Sequence, residues 1–390
     1  MSELPASVRD AATIVLADGA DGADIVPGRL AAEGGPGGAR VVVGWLPGDR
    51  PWVTALDGAD ALMGGYGVRA AIREGRATYR PVRLSAVPRF LASLPRPIVT
   101  VVRGRPDGDG FRFGGSVGWA PAAARLADAV VVEVDPAGPA ITGPPVPGDV
   151  VAVVEGTATA VEPLRGEPDA VDRAIAAHVA TVLPPEPTIQ YGPGALLDAI
   201  VRGVDRPVGI LSGLATDAVA DLAATGRLRG TAVAGYCWGS DALLTVEHDG
   251  RLRLAASDET HDVARLAVVP GFVALNTALQ VGLDGSVNVE RLGTDVVGGV
   301  GGHPDFARGA SANPDGLSIV CCRSAHRGRS TVVLRPLVVT TSRTDVDVVV
   351  TEHGVADLRG HSDAERARLL AEIAHPDHRD ALLRGEDPNG

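Results

Sequence analysis

The sequence predicts an α/β protein made of two open α/β domains with mostly parallel sheets. Three observations lead there. Short β-branched runs alternate with Ala/Leu-rich segments along the whole chain. The runs are apolar throughout, as in strands covered on both faces, and do not alternate apolar with polar. The length of 390 residues exceeds a single domain of about 150 residues. Aromatic residues are only 3% of the chain, so the core must be Val, Leu, Ala and Ile.

In the first half, Arg40–Leu46, Pro97–Val102 and Ala129–Val134 read as buried strands. Pro121–Ala127 and Val171–Val182 read as helices, the latter with Asp172, Arg173 and His178 free to face solvent. Leu183–Thr188 carries three prolines in LPPEPT and reads as the linker, since proline removes donors and disfavours helix before it. The expected domains are therefore residues 1–185 and 186–390. In the second, Gly194–Arg202 and Asp217–Thr225 read as helices and Val208–Leu211 as a strand. Phe272–Leu275, Leu317–Cys321, Val332–Val339 and Val346–Val350 are further strands. Ser362–Ala374 is the closing helix, with Ser362 and Glu365 spaced as a capping box.

The composition excludes several chemistries. All 36 cations are arginines, a bias that a GC-rich coding sequence explains. Without lysine there is no Schiff base, no P-loop and no Ser–Lys dyad. Arginine binds phosphate and carboxylate but does not act as a general base. A net charge of −12 and the lack of basic runs argue against nucleic acid. No apolar run approaches the roughly 20 residues of a membrane span, and Met1–Asp10 lacks the pattern of a secretory signal. Three cysteines, two of them adjacent, make neither a disulfide framework nor a zinc site, so a cytoplasmic location is expected. The nine histidines form no HxH or HExxH pattern, and no metal is expected.

Four segments carry candidate chemistry. Val297–Ala310 has glycines at 298, 299, 301 and 302, which permit close backbone approach and N–H groups facing an anion or carbonyl oxygen. A plain turn explains them equally well, and Asp305 and Arg308 beside them suit a surface ion pair. Thr351–Ser362 places Glu352 and His353 at the end of a strand, where open α/β sheets bind ligands. Either side chain suits acid–base chemistry, and an ion pair of Glu352 with Arg359 is the alternative. Gly235–Ser240, GYCWGS, holds Cys237, for which a buried inert thiol is favoured over a nucleophile. Gly65-Tyr66-Gly67 lacks the preceding strand that a dinucleotide fingerprint requires.

The order and spacing of FVALNTALQVGLDGSVNVERLG, GGVGGHPDFARGA, VTEHGVADLRGHS and IAHPDHRDAL resemble the acetyl-CoA hydrolase/transferase family, which includes acetate and 4-hydroxybutyrate CoA-transferases. GGSVGWA, ADAVVVEVDPAGPAITGP and YGPGALLDAI in the first half are similar to it too, so the resemblance covers most of the chain. It implies two open α/β domains of the CoA-transferase type and a covalent route in which a glutamate attacks the acyl-CoA thioester. Coenzyme A or acyl-CoA is then substrate or ligand, with no permanently bound cofactor. A small carboxylate or another acyl acceptor is the second partner, and a homodimer is expected.

The sequence departs from that pattern where it matters most. The turn G-x-x-T-E that carries the nucleophile reads Gly209-Ile210-Leu211-Ser212-Gly213 here, so the glutamate is replaced by Gly213. The Gly-x-Gly turn that supplies an oxyanion N–H reads Gly192-Pro193-Gly194, and proline has no N–H. A family asparagine aligns with His261. The expected catalytic residues are therefore Glu352 and His261. Gly298, Gly299, Gly301, Gly302, Asp305 and Phe306 are expected to bind substrate, with Gly213 and Pro193 as degenerate positions. The implied function is acyl transfer or thioester hydrolysis by a non-glutamyl mechanism. The alternatives are a catalytically silent acyl-CoA-binding or partner subunit, and an ordinary CoA-transferase using a neighbouring acid such as Asp217.

Overall fold

A computed structural model describes residues 4–55, 57–163 and 166–389. The chain packs as two compact units that are discontinuous in sequence. One comprises Met1–Pro163, Val233–Thr260 and Asp295–Gly301; the other comprises Leu164–Ala232, His261–Thr294 and Gly302–Gly390. No described helix is long and apolar enough to cross a membrane. Both units are α/β with mostly parallel sheets, as expected.

In the first unit, β1 (Thr13–Leu16), β2 (Arg40–Val43), β3 (Ala59–Ala61), β4 (Ala77–Tyr79), β5 (Ile98–Asp107), β7 (Ala129–Val134) and β8 (Val150–Glu155) form one sheet. Their order is β4-β3-β2-β1-β5-β7-β8, and β6 (Gly110–Phe113) pairs only with β5. All of these pairings are parallel except the β5–β6 hairpin. The continuous apolar runs have a simple cause. Ile14, Leu16, Val41, Val43, Val99 and Val101 fill one face, while Val15, Val42 and Ile98 fill the other. Both faces are covered, so period-two alternation of polarity has no place.

Two later stretches return to this unit, and glycines make room for them. Val117 N and Gly118 N donate to Gly235 O, and Cys237 N donates to Gly115 O. A Cβ on Gly118, at φ +41°, would lie 1.8 Å from Tyr236 Oη, which explains the GGSVGWA segment as a packing requirement. Asp295–Gly301 is held by Gly64 N donating to Gly298 O, Leu84 N donating to Gly301 O, and Val300 N donating to Tyr79 Oη.

In the second unit, β9 (Thr188–Tyr191), β10 (Gly209–Ala215), β11 (Phe272–Thr277), β12 (Leu317–Cys321), β13 (Val348–Thr351) and β14 (Gly354–Asp357) run in the order β10-β9-β11-β12-β13-β14. They are parallel up to the β13–β14 hairpin. Ala170–Val182 begins with a capping box at Asp169 and Asp172, and Asp363–Glu372 begins with the expected one at Ser362 and Glu365. Leu183–Thr188 lies inside this unit as the loop from the Ala170–Val182 helix to β9.

The Val332–Val339 strand is corrected. Pairing there stops at Val333, and Leu337 and Val339 are exposed. Pro336 removes a ladder donor at that point, so an apolar run continues without a strand. Several short strands that composition did not signal, such as Thr13–Leu16 and Thr188–Tyr191, occupy central positions in the two sheets.

Candidate active site

The carboxyl end of the second sheet gathers several of the candidates. Its topological switch lies at β9, whose neighbours are β10 on one side and β11 on the other. Ligands bind at such a point in open α/β sheets. Gly213 lies near the end of β10 on the face that carries Leu211, Ala274 and Phe306. A Cβ on Gly213 would sit 3.4 Å from His261 Cε1 and Nε2 and 3.5 Å from Phe306 Cε2. The His261 and Phe306 rings are 4.4 Å apart between centroids. The imidazole therefore packs at ordinary contact distance beside the point where a side chain at 213 would begin.

Gly302 shows the same wedge from the other side. A Cβ there would lie 2.5 Å from His261 Cδ2 and Nε2, closer than packed atoms allow. That is why a glycine precedes the helix His303–Ser311. Burial pushes the His261 pKa down to about 3, so the ring is neutral at pH 7. A neutral imidazole offers one N–H and one lone pair. His303 follows on the same turn; its Nδ1 lies 2.7 Å from Thr341 Oγ1, and burial pulls its pKa down to about 4. Asp305 is buried in the first turn of this helix.

Two residues missed by the sequence reading share this face. Gln190 pairs in register with Ala274, and Asn276 is two residues further along β11. Their carboxamides are buried and donate to each other, Gln190 Nε2 to Asn276 Oδ1 at 3.4 Å and Asn276 Nδ2 to Gln190 Oε1 at 3.2 Å. The available signal was a polar residue at the end of an otherwise apolar parallel strand, which is costly unless paired or used. Tyr191 Oη, Thr216 Oγ1 and Asp198 form a chain beneath, at 3.1 and 2.8 Å, that fixes the turn from β10 into the helix Asp217–Ala224. Asp217 opens that helix, beyond the end of β10. Pro193 lies in the turn between β9 and the helix Ala195–Gly203, beside Gly194 at φ +141°.

Glu352 stands elsewhere on the same sheet. It occupies the two-residue hairpin between β13 and β14, and its strand is the fourth from β10. Four strand spacings amount to about 19 Å. Both carboxylate oxygens accept from Ser324, Oε2 from the backbone N at 2.8 Å and Oε1 from Oγ at 2.7 Å. Burial raises this carboxyl, but the Ser324 hydrogen bonds prevail and hold it below the ordinary glutamate value. Arg359, the alternative partner, binds Asp357 instead.

The remaining glycines belong to the first unit. A Cβ on Gly299 would lie 2.3 Å from Met63 Sδ, and one on Gly301, at φ +55°, 3.2 Å from Met63 Cε. Gly298 O accepts from Gly64 N. The stretch is glycine-rich because Met63 and Gly64 press against its backbone. Cys237 is buried, and burial, Glu247 and Asp21 push its thiol far up, so it is no nucleophile at neutral pH. Among the described residues, no group of three or more His, Cys, Asp or Glu is arranged to hold a metal ion.

Comparison with known proteins gives these segments a family. The acetyl-CoA hydrolase/transferase C-terminal domain profile matches residues 239–385, and the N-terminal domain profile matches residues 60–157. The 4-hydroxybutyrate coenzyme A transferase of Clostridium kluyveri is 30% identical over 345 residues, covering 83% of this chain and 80% of that protein. The chain belongs to the acetyl-CoA hydrolase/transferase family. It is an acyl-CoA transferase or hydrolase-like enzyme by that membership. The butyryl-CoA:acetate CoA-transferase of Anaerostipes caccae is also 30% identical, over 352 residues, covering 83% of this chain and 79% of that one. Among solved structures, RipA from Yersinia pestis matches with a TM-score of 0.84 and 26% identity, over 95% of this chain and 92% of that one.

Proposed function

We propose that this acetyl-CoA hydrolase/transferase family member binds acyl-CoA and moves or hydrolyses its acyl group without a glutamyl intermediate. One observation carries the reading. The imidazole of His261 stands 3.4 Å from where a Cβ on Gly213 would be, and on our reading Gly213 holds the place of the family nucleophile. A glycine has no side chain with which to attack the thioester.

The chemistry then requires direct attack. An acceptor hydroxyl or water oxygen forms the new bond to the acyl carbon, the C–S bond breaks, and the proton lost by the attacking group neutralises the departing thiolate. His261 faces Gly213 but is a weak base with a pKa of about 3. Its neutral ring suits donation to the thioester oxygen better than proton abstraction. The Glu352 carboxylate is the stronger base of the two, but at about 19 Å along the sheet it is out of hydrogen-bond reach of a group attacking beside Gly213. Gly302, Asp305 and Phe306 are the substrate-binding positions of the second unit; Gly298, Gly299 and Gly301 are those of the first. Pro193 removes one backbone donor, a loss that typically costs about 10²–10³ in rate. CoA or acyl-CoA is the ligand, a carboxylate or other acceptor the second substrate, and a homodimer the working assembly.

The same low basicity of His261 favours a second reading, a silent acyl-CoA-binding or partner subunit. Mass spectrometry of products after incubation with a panel of acyl-CoAs, with and without carboxylates, separates the two. Free acid plus CoA, or a new acyl-CoA, supports the enzyme. Unchanged acyl-CoA together with a thermal shift supports the silent binder. Neither product nor thermal shift with any member of the panel sinks both.

A further inference from the structure

His303 opens the helix His303–Ser311 in the second unit and is only 8% exposed. Its Nδ1 lies 2.7 Å from Thr341 Oγ1, and its Nε2 has no hydrogen-bond partner among the described residues. The Thr277 backbone, at the end of β11 and next to Asn276, acts on the ring but completes no hydrogen bond to Nε2. A buried polar atom stranded in this way costs free energy until a ligand or water completes it.

The hydrogen bonds place the proton on this ring. Thr341 is fully buried and pinned through its backbone: its N donates to Val287 O, and Val287 N donates to its O, each at 3.1 Å. Its hydroxyl has His303 Nδ1 as its one partner among the described residues. A proton on Nδ1, donated to Oγ1, would strand both the threonine proton and the Nε2 lone pair. A hydroxyl that donates to Nδ1 strands only Nε2–H. The second arrangement leaves fewer buried polar groups unsatisfied, so the ring is assigned the Nε2–H tautomer. Burial keeps the ring neutral at pH 7.

We propose that His303 Nε2–H donates to the carbonyl oxygen of the acyl-CoA thioester, as a second imidazole donor in addition to His261, with Thr341 as the positioning residue that fixes its proton. This rests on the acyl-CoA reading of the site around Gly213. Gly302, whose Cβ would meet His261, directly precedes His303, so both imidazoles flank the start of one helix in the second unit. The first turn also carries the buried Asp305, whose carboxyl suits a neutral carbonyl acceptor better than an anion. No covalent bond to His303 forms. As the attacking oxygen adds, negative charge grows on the carbonyl oxygen, the hydrogen bond from Nε2–H strengthens, and the proton stays on nitrogen.

Titration calorimetry on the full chain tests this with three probes: S-ethyl-CoA, which lacks the carbonyl, acetyl-dethia-CoA, whose ketone keeps it without a cleavable C–S bond, and acetate. Wild type should bind the ketone about tenfold tighter than S-ethyl-CoA. His303→Phe, which keeps a ring without an N–H, should bring that ratio close to one, and His303→Gln, which keeps a side-chain N–H, should restore most of it. A ratio near one in wild type, or one that survives in His303→Phe, overturns the proposal and leaves the acyl-CoA reading standing. Loss of acetate binding in His303→Phe with the ratio intact assigns the ring to the carboxylate substrate and also overturns it. Failure of both CoA probes to bind wild type removes the acyl-CoA reading, and this one with it. Long-range ¹H–¹⁵N NMR of the imidazoles does not depend on the folding of a His303 variant. His303 should be protonated on Nε2, its proton should move downfield with the ketone but not with S-ethyl-CoA, and Thr341→Val should give a mixture of tautomers. A proton on Nδ1, or a signal indifferent to the ketone and to Thr341→Val, overturns the assignment.

Discussion

The carboxyl ends of the two sheets solve the same topological problem with opposite chemistry. In the first unit the end is charged and saturated. Glu133 is fully buried and accepts from Asp24 N, Ile25 N and Val26 N, capping the helix Ile25–Ala32, while Arg103 reaches Asp21, Glu133 and Asp135 at 3.4–3.8 Å. Arg50 and Asp24 extend the network. In the second unit the side chains packed together around Gly213 are uncharged, the His261 ring, Phe306 and the Gln190–Asn276 carboxamides, and the Glu352 carboxylate stands four strands away. Buried charges that satisfy one another fix a loop in place. A neutral, partly apolar cluster leaves the electrostatics to whatever binds there.

The largest test of this contrast is in the charged end. Glu133→Ala would orphan three N–H groups and leave Arg103 short of a partner, a loss of about 3–5 kcal/mol measured by urea unfolding. Asn276→Leu around Gly213 should cost less, about 1–3 kcal/mol, since it strands the Gln190 carboxamide but no charge. Equal losses would erase the distinction.

A second test uses pH. Burial pushes Asp18 up to about 6, against the hydrogen bonds from Trp45, Tyr236 and Trp119. A carboxyl raised in the folded state makes the native protein bind more protons than the unfolded chain between about pH 4 and 6. Stability should therefore fall as pH rises across that window, by of order 3 kcal/mol, and then level off. Asp18→Asn should flatten that portion of a stability–pH curve; an unchanged slope would show that Asp18 does not titrate there.

The third test is steric and belongs to the neutral cluster. Gly302→Ala should destabilise by about 1–3 kcal/mol because its Cβ meets His261, whereas Gly213→Ala, with ordinary contact distances, should cost little. Thermal unfolding of Gly302→Ala alone and combined with His261→Ala reads the overlap directly: the second change should recover most of the loss. The smallest effect is chemical. Cys237 should resist iodoacetamide in the native state at pH 7.5, with alkylation appearing only on unfolding; rapid native labelling would contradict its burial.

How much of this was legible in the sequence follows from what each part depends on. Ala129–Val134 and Leu317–Cys321 were readable to the residue, because buried parallel strands are written as unbroken apolar runs. The helix at Ser362 was readable from its capping box. Val332–Val339 failed because an apolar run says nothing about pairing, which Pro336 interrupts. The site was half legible. Gly213 and His261 are each expected from the family resemblance, but their contact depends on where residue 261 lands across the face of the sheet. Gln190 and Asn276 are 86 residues apart and meet only through the β9–β11 register. The glycines of GGVGG read as a ligand cradle, yet Met63 and the His261 ring already account for the absence of a Cβ at 299 and 302.

The central claim is that acyl-CoA is handled here without a covalent carboxyl intermediate. The most direct measurement is the intact mass of the full chain after incubation with acetyl-CoA, with and without borohydride or hydroxylamine, run alongside ¹⁸O-acetate exchange. The account predicts an unmodified chain and no label exchange, whether or not the thioester is consumed. A CoA-sized adduct on the protein, or ¹⁸O passing from acetate into the enzyme, would contradict it and assign the nucleophile to a carboxylate such as Asp217.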